Sequence, residues 1–294
     1  MKLITYQHND QTRIGAVVAE AAVAEAVVDL TAVSPTLLAL IQQGPAGVQK
    51  ARAAIDNATH TIPLADVALL APIPVPDRNV MCLGWNYAEH AQESAETKGL
   101  QIKELPQYPI VFTKATTSVN GPFGEVPYST AVSTEFDYEV ELAVIIGKRG
   151  INIPREEAMG YVYGYTVLND ISARDLQRNG KQFFKGKSLD GSCPIGPWLV
   201  TADEIANPQN LAITCRVNGV TKQDSSTRHM IFDIPATIEY LSLGMTLLPG
   251  DIIATGTPSG VGFARTPPEY LQPGDVVESE IEQIGLIRNQ IKAV

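Results

Sequence analysis

Residues 137–147 read DYEVELAVIIG and place Asp137, Glu139 and Glu141 at every second position, alternating with Tyr138, Val140 and Leu142, before the chain turns wholly apolar. Successive side chains of a strand point to opposite faces, so the three carboxylates share one face; on a helix, residues two apart do not face each other. Val140, Val144, Ile145 and Ile146 favour a strand. Two readings are open: an amphipathic strand whose acidic face meets water, or acids gathered around a cation. The run AVIIG points to a strand that soon becomes buried on both faces. Acids at the mouth of such a strand repel one another unless something positive sits among them.

The rest of the chain sets the frame for that strand. MKLITY and RIGAVV read as strands; in AEAAVAEAVVDL alanine favours helix while the VV pair favours strand, and strand is the expectation; SPTLLALIQQG and GVQKARAAID read as helices, the first with a serine start and a glycine stop. LLAPIPVPDRN carries Pro72, Pro74 and Pro76 and reads as an extended connector, which divides the chain into a small N-terminal unit, 1–74, and a larger unit, 75–294. Beyond it, NVMCLG, PIVFTK, VELAVIIG, YVYGYTVLND, AITCRVNG, GDIIATG and DVVESEIEQIG read as strands. YAEHAQES, PREEAMG, SARDLQRN and IPATIEYLSLG read as helices. Many short strands with glycine turns and few helices predict an α+β or mainly β core, not a doubly wound α/β sheet.

The formal net charge of -10 excludes the broad basic surface that nucleic acid requires. Cys82, Cys193 and Cys215 are odd in number and widely spaced, which fits a reduced, cytoplasmic setting. MKLITYQHND has no apolar run of signal-peptide length, and Glu20 and Glu25 interrupt the most apolar early stretch, so a soluble protein with no membrane partner is expected. No GxSxG elbow, GxxxxGK[ST] phosphate loop or HExxH motif occurs. With only four histidines, any metal site is expected to use oxygen ligands, which suits magnesium, manganese or calcium.

Three further groups carry alternatives of the same kind. Asp170 follows the strand-like YTVLN and precedes a helix start, as either a helix cap or a third oxygen ligand at a strand end. His90 and Glu93 are three apart, and on a helix they share a face. They are an incidental surface pair or an imidazole oriented by a carboxylate as a general base. Lys187 lies in FFKGKSLDGSCPIGP, where it is a solvated loop lysine or a cation for a substrate carboxylate or an enolate.

Taken together and in order, GWNYAEHAQE, PIVFTKATTSVNGP, FDYEVELAVIIGKRG, GYTVLNDISARDLQ, GKSLDGSCPIGPW and GDIIATGTPSGVG resemble the fumarylacetoacetate hydrolase family, from about Asn79 to the C-terminus. The resemblance implies a mixed β-roll catalytic domain preceded by a small N-terminal α+β domain, a magnesium or manganese ion, and a homodimer. It implies Glu139, Glu141 and Asp170 as metal ligands, with Asp137 behind them or exposed. It implies His90 and Glu93 as the water-activating pair of a lid helix, and Lys187 beside the metal; the helical start at YAEHAQES, followed by the polar, aperiodic SAETKGLQIKELPQYP, predicts a mobile lid over 87–108. Arg174, Gln177 and Thr257 match positions that line or support the substrate pocket. Two departures stand out. The further aspartate ligand of the longer fumarylacetoacetases has no counterpart, and Trp85 stands where the acylpyruvase branch tends to carry arginine. The implied activity is hydrolysis of a C–C bond in a 2,4-dioxo acid through a metal-held enolate. The alternatives are isomerisation or decarboxylation of hydroxymuconate-like or oxaloacetate-like 2-oxo diacids, or a catalytically silent metabolite-binding module.

Overall fold

The structure is a computed structural model that describes residues 1–20, 24–97, 99 and 104–294. Among the described residues, the largest sheet runs in the order Ile62–Pro63, Ala24–Asp29, Gln11–Glu20, Lys2–His8, Cys193–Thr201, Val162–Asn169, Val140–Ile146, Ile252–Ala254, Val80–Gly84 and Ile110–Lys114. Two short strands, Ala68–Leu70 and Val119–Asn120, attach to its sides. A second sheet is built from Val220–Ser226, Ala212–Val217, Val276–Ile281, Gly285–Ala293 and Val126–Tyr128. The fold is α+β, with few helices laid on a sheet-rich body. Its first strand pairs with Cys193–Thr201, Lys2 opposite Val200, so one sheet runs across the proline-rich connector.

The strand Val140–Ile146 is buried along its whole length and separates two cores. Val140, Leu142, Val144 and Ile146 pack with Ile213, Cys215, Val277 and Ile287 of the second sheet. Ala143 and Ile145 pack on the other side with Leu40 and Ile41, beneath the N-terminal helices. Glu139 and Glu141 have the parity of Ala143 and Ile145, so they point away from the first core. Leu142, Val144 and Ile146 are each at most 1% exposed, and fully burying one such side chain contributes about 1.5–3 kcal/mol. That burial holds the strand in register and fixes where its carboxylates stand.

Most expected elements are present, with local differences. The first helix is Leu37–Gln42, capped by Thr36 rather than Ser34, and the second is Pro45–Asp56. PREEAMG is a 3₁₀ segment, Arg155–Tyr161. The expected strand AEAAVAEAVVDL is found as Ala24–Asp29, while 21–23 lie outside the described residues. Val220–Ser226 was not expected as a strand, because VTKQDSS is polar; it forms an edge with mostly outward side chains.

Candidate active site

The carboxylate cluster arises from strand pairing. Glu139 sits in the break between Phe136–Asp137 and Val140–Ile146, and Asp170 follows directly on Val162–Asn169. Val140 lies opposite Asn169, and two hydrogen bonds lock the adjoining residues: the Asp170 amide donates to the Glu139 carbonyl at 2.8 Å, and the Glu139 amide donates to the Asn169 side chain at 3.0 Å. Carboxylate oxygens of Glu139, Glu141 and Asp170 thereby lie within 4.8 Å of one another. The helix Arg174–Asn179 begins after Ala173, so Asp170 is not its cap.

Cations surround this cluster. Lys187 Nζ donates to Glu139 and to Asp170, at 2.7 Å each, and Lys114 Nζ donates to the other oxygen of Asp170 at 2.8 Å. An Arg174 Nη lies 2.6 Å from Glu139. Burial opposes the Glu139 carboxylate, but Lys187, Arg174 and His90 together outweigh it and hold the group below the ordinary range. Glu141 behaves oppositely. Burial, then the charges of Asp170 and Glu139, push it well above the ordinary range, although the Gly256 amide donates to it at 2.7 Å. Lys187 stays above its ordinary value, because Asp170 and Glu139 overcome the effect of burial.

Asp137, the third acid of the alternating run, is fully buried and takes no place in the cluster. It accepts from the amides of Gly262 at 2.7 Å and Phe263 at 3.0 Å, and from Arg174 Nε at 2.8 Å. Counting it, four buried carboxyl groups meet Lys114, Arg174 and Lys187, and Glu141 is the one that no lysine or arginine pairs with among the described residues. An all-oxygen donor set of three buried carboxyl groups, one of them without a cationic partner, fits a hard divalent cation.

His90 and Glu93 lie on the helix Ala88–Glu96, and the pair is joined by Nδ1 and a carboxylate oxygen at 3.3 Å. His90 is 5% exposed, which no incidental surface pair would be. Glu93 also accepts from the Gly260 amide at 2.9 Å, and Glu89 accepts from the Ser259 hydroxyl at 3.3 Å, so the helix is fastened to the segment after Ile252–Ala254. Of the expected lid, 87–97, 99 and 104–108 are described; 98 and 100–103 lie outside the described residues.

These groups meet at a cavity of about 530 Å³. His90, Glu139, Arg174, Gln177, Lys187 and Thr257 line it, while Glu93, Glu141 and Asp170 are not among its lining residues. Arg174 Nη1 donates to Gln177 at 3.0 Å, and the Thr257 hydroxyl donates to the Val140 carbonyl at 2.9 Å while accepting from Gln223 at 2.7 Å. Thr257 therefore braces the wall. Sequence reasoning did not single out Lys114, Arg178, Phe263 or Tyr270. Three of them line the cavity, and Lys114 lies buried beneath it. The departure at Trp85 also lines the cavity, with a positive φ of 54°.

Residues 79–292 match the model of the fumarylacetoacetate (FAA) hydrolase C-terminal domain. The chain is 43% identical, over 99% of its length and 91% of the relative's, to a mitochondrial oxaloacetate tautomerase of Rattus norvegicus. It is 50% identical to an oxaloacetate tautomerase of Bacillus subtilis, over 78% of this chain and 74% of the relative. Among solved structures, a fumarylacetoacetate hydrolase from Exiguobacterium antarcticum superposes with a TM-score of 0.86 at 41% identity, over the full length of both chains. A maleylpyruvate hydrolase from Sphingobium, in complex with manganese(II) and pyruvate, superposes with a TM-score of 0.79 at 31% identity, over 100% of this chain and 99% of that one. The tautomerases correct the expectation of a C–C bond hydrolase acting on a 2,4-dioxo acid. The physical reason is that the sequence motifs mark which side chains gather at the site, and they do not report which bond of a substrate changes. With the motifs, the fold and the family model in agreement over most of its length, the chain belongs to the fumarylacetoacetate hydrolase family.

Proposed function

We propose that the protein interconverts the keto and enol forms of an oxaloacetate-like 2-oxo diacid, with magnesium or manganese held by Glu139, Glu141 and Asp170. The observation that carries this reading is one cavity lined by an imidazole with an oriented ring, a lysine and a carboxylate of the metal cluster. The tautomerase relatives and the manganese-bound neighbour support it.

Glu93 holds His90 Nδ1, so Nε2 is the nitrogen presented to substrate. In enolisation, Nε2 takes the proton from C3, the C3–H pair forms the C2–C3 double bond, and the carbonyl π pair moves onto O2. Protonation of O2 completes the enol, and His90 returns its proton to solvent; ketonisation is the reverse. Lys187 provides an ammonium beside the oxygen that becomes negative. Gln177 and Arg174 position the substrate, and Thr257 supports that wall. A divalent ion, when bound, supplies positive charge that polarises the 2-oxo group. This chemistry needs no attacking water, so His90 acts on carbon rather than on water.

The test is to dilute enol oxaloacetate from anhydrous solvent into buffer and follow the decay of enol absorbance. Protein loaded with magnesium or manganese should accelerate the decay, and chelation should remove the effect. A metal-loaded wild type that leaves the decay at its spontaneous rate would overturn the reading.

The same proposal takes the protein as a cytoplasmic homodimer in which the unit 1–74 adjoins the catalytic unit 75–294. Among the described residues, no helix is long and apolar enough to cross a membrane. Light scattering that gives the mass of one chain would reject the dimer.

A further inference from the structure

The two carboxylates of a 2-oxo diacid set a requirement that the catalytic cluster does not meet. One carboxylate, with the neighbouring 2-oxo group, belongs at the metal cluster. The distal one needs its own cation inside the same cavity. Among the described lining residues, Arg174, Arg178 and Lys187 are the lysines and arginines. Arg174 is 4% exposed and is held by Asp137, Glu139 and Gln177. Lys187 is 2% exposed and bridges Glu139 and Asp170.

Arg178 is different. Its side chain is 56% exposed, and it lies one turn beyond Arg174 on the helix Arg174–Asn179. Residues four apart on a helix share a face, with Cβ atoms about 5–6 Å apart, so Arg178 stands further along the cavity from the group that touches Glu139, at the scale of a four-carbon diacid. Its guanidinium is already arranged as a carboxylate receptor. Nη1 lies 2.6 Å from one oxygen of Glu135, and Nη2 donates to the other at 2.7 Å. This two-pronged geometry is the one by which arginine selects carboxylates over other anions. Tyr270, a lining residue, stands at the same pair.

We propose that Arg178 binds the distal carboxylate of the substrate, that Glu135 occupies its fork when no substrate is bound, and that the exchange between them selects 2-oxo diacids over 2-oxo monoacids. The inference rests on the diacid reading above. It assigns the specificity of the site to a pair at the cavity mouth, separate from the residues that handle the proton. An exposed ion pair contributes little to stability, so the pair can open for substrate at small cost.

The test compares binding of two near-isosteric ligands that cannot enolise, 2,2-dimethyl-3-oxosuccinate and 3,3-dimethyl-2-oxobutanoate, to the manganese-loaded full chain by calorimetry. The readout is the ratio of their affinities. In Arg178→Met the diacid preference should fall by about ten- to a hundredfold, the range of a lost hydrogen bond to a charged group. Glu135→Gln should raise it, because the competing carboxylate is gone. In the Arg178→Met/Glu135→Gln double variant the preference should remain low, which separates loss of the fork from repulsion by an unpaired Glu135. An unchanged ratio in Arg178→Met, or a ratio restored in the double variant, overturns the assignment. Tautomerisation of oxaloacetate by the wild type is measured in parallel. Its absence refutes the function proposed above, whereas the affinity ratios judge Arg178 by themselves.

Discussion

The carboxylate of Asp137 accepts from Arg174 Nε at 2.8 Å, with both side chains buried, and the same arginine reaches Glu139 at 2.6 Å. Asp137 thus acts on the cluster through Arg174 while its oxygens also hold the amides of Gly262 and Phe263. Two acids on one strand face are divided in this way between scaffold and site.

The first prediction concerns that division. Asp137→Ala leaves Arg174 short of a buried partner and frees the amides of Tyr138, Gly262 and Phe263. Removing one member of a buried ion pair costs about 3–5 kcal/mol, so urea unfolding should show a loss of that size. A variant as stable as the wild type would mean that the pair carries no structural weight.

The alternation at 137–141 was legible because period two is a property of the chain itself, and it named the face on which Glu139 and Glu141 stand. Asp170 was harder. Its role depends on the register of Val140 against Asn169, which no local pattern reports, and its sequence surroundings fit a helix cap equally well. Lys114 was illegible: lysine is normally exposed, and its partner Asp170 lies 56 residues away. Arg178 and Glu135 are 43 residues apart and read locally as ordinary surface charges. The family resemblance supplied candidate metal ligands and a candidate base, but its motifs left the reaction itself open.

A second prediction concerns Glu141. Burial and the charges of Asp170 and Glu139 raise its carboxyl well above the ordinary range, while a cation requires the carboxylate form. Metal uptake should therefore release a proton, and affinity should increase as pH rises towards the elevated value. The sign for stability is opposite in the metal-free protein. A raised folded value contributes stability that is complete below the unfolded carboxylate range and is lost as pH rises through the folded value. Glu139, held low, contributes stability that is present above that range and is lost on acidification. Calorimetric titration with manganese in two buffers of different ionisation enthalpy counts the protons. Equal apparent enthalpies would show that Glu141 is already ionised.

The third prediction tests how the helix Ala88–Glu96 is fastened. Gly260 has φ of 101°, and a Cβ there would meet the Lys222 carbonyl oxygen at 2.1 Å. Its amide is the donor that holds Glu93. Gly260→Ala must displace this backbone, at a cost of about 1–3 kcal/mol for the strained conformation alone, and it should loosen the base with it. Tautomerase kcat should drop along with thermal stability, and hydrogen exchange should rise in the helix. Unaltered exchange in Ala88–Glu96 would show that the helix does not depend on this anchor.

The last prediction separates the base from the metal. His90 lines the cavity but supplies no atom to the carboxylate cluster, and its orientation comes from Glu93 on its own helix. Of the charges that hold Glu139 low, His90 ranks behind Lys187 and Arg174, so removing it should change the ligand field little. General base catalysis contributes roughly 10²–10⁴-fold, and His90→Ala should lose that much in kcat for oxaloacetate tautomerisation while manganese affinity stays at the wild-type value. Glu93→Gln should lose less. The amide can still accept from the Gly260 amide and from Nδ1–H, but it no longer stabilises the charged imidazole that forms when the proton leaves C3. Calorimetry with manganese beside steady-state rates for the three proteins decides the matter. If His90→Ala abolishes metal binding, the residue belongs to the metal site; if it leaves tautomerisation intact, the proton is handled elsewhere.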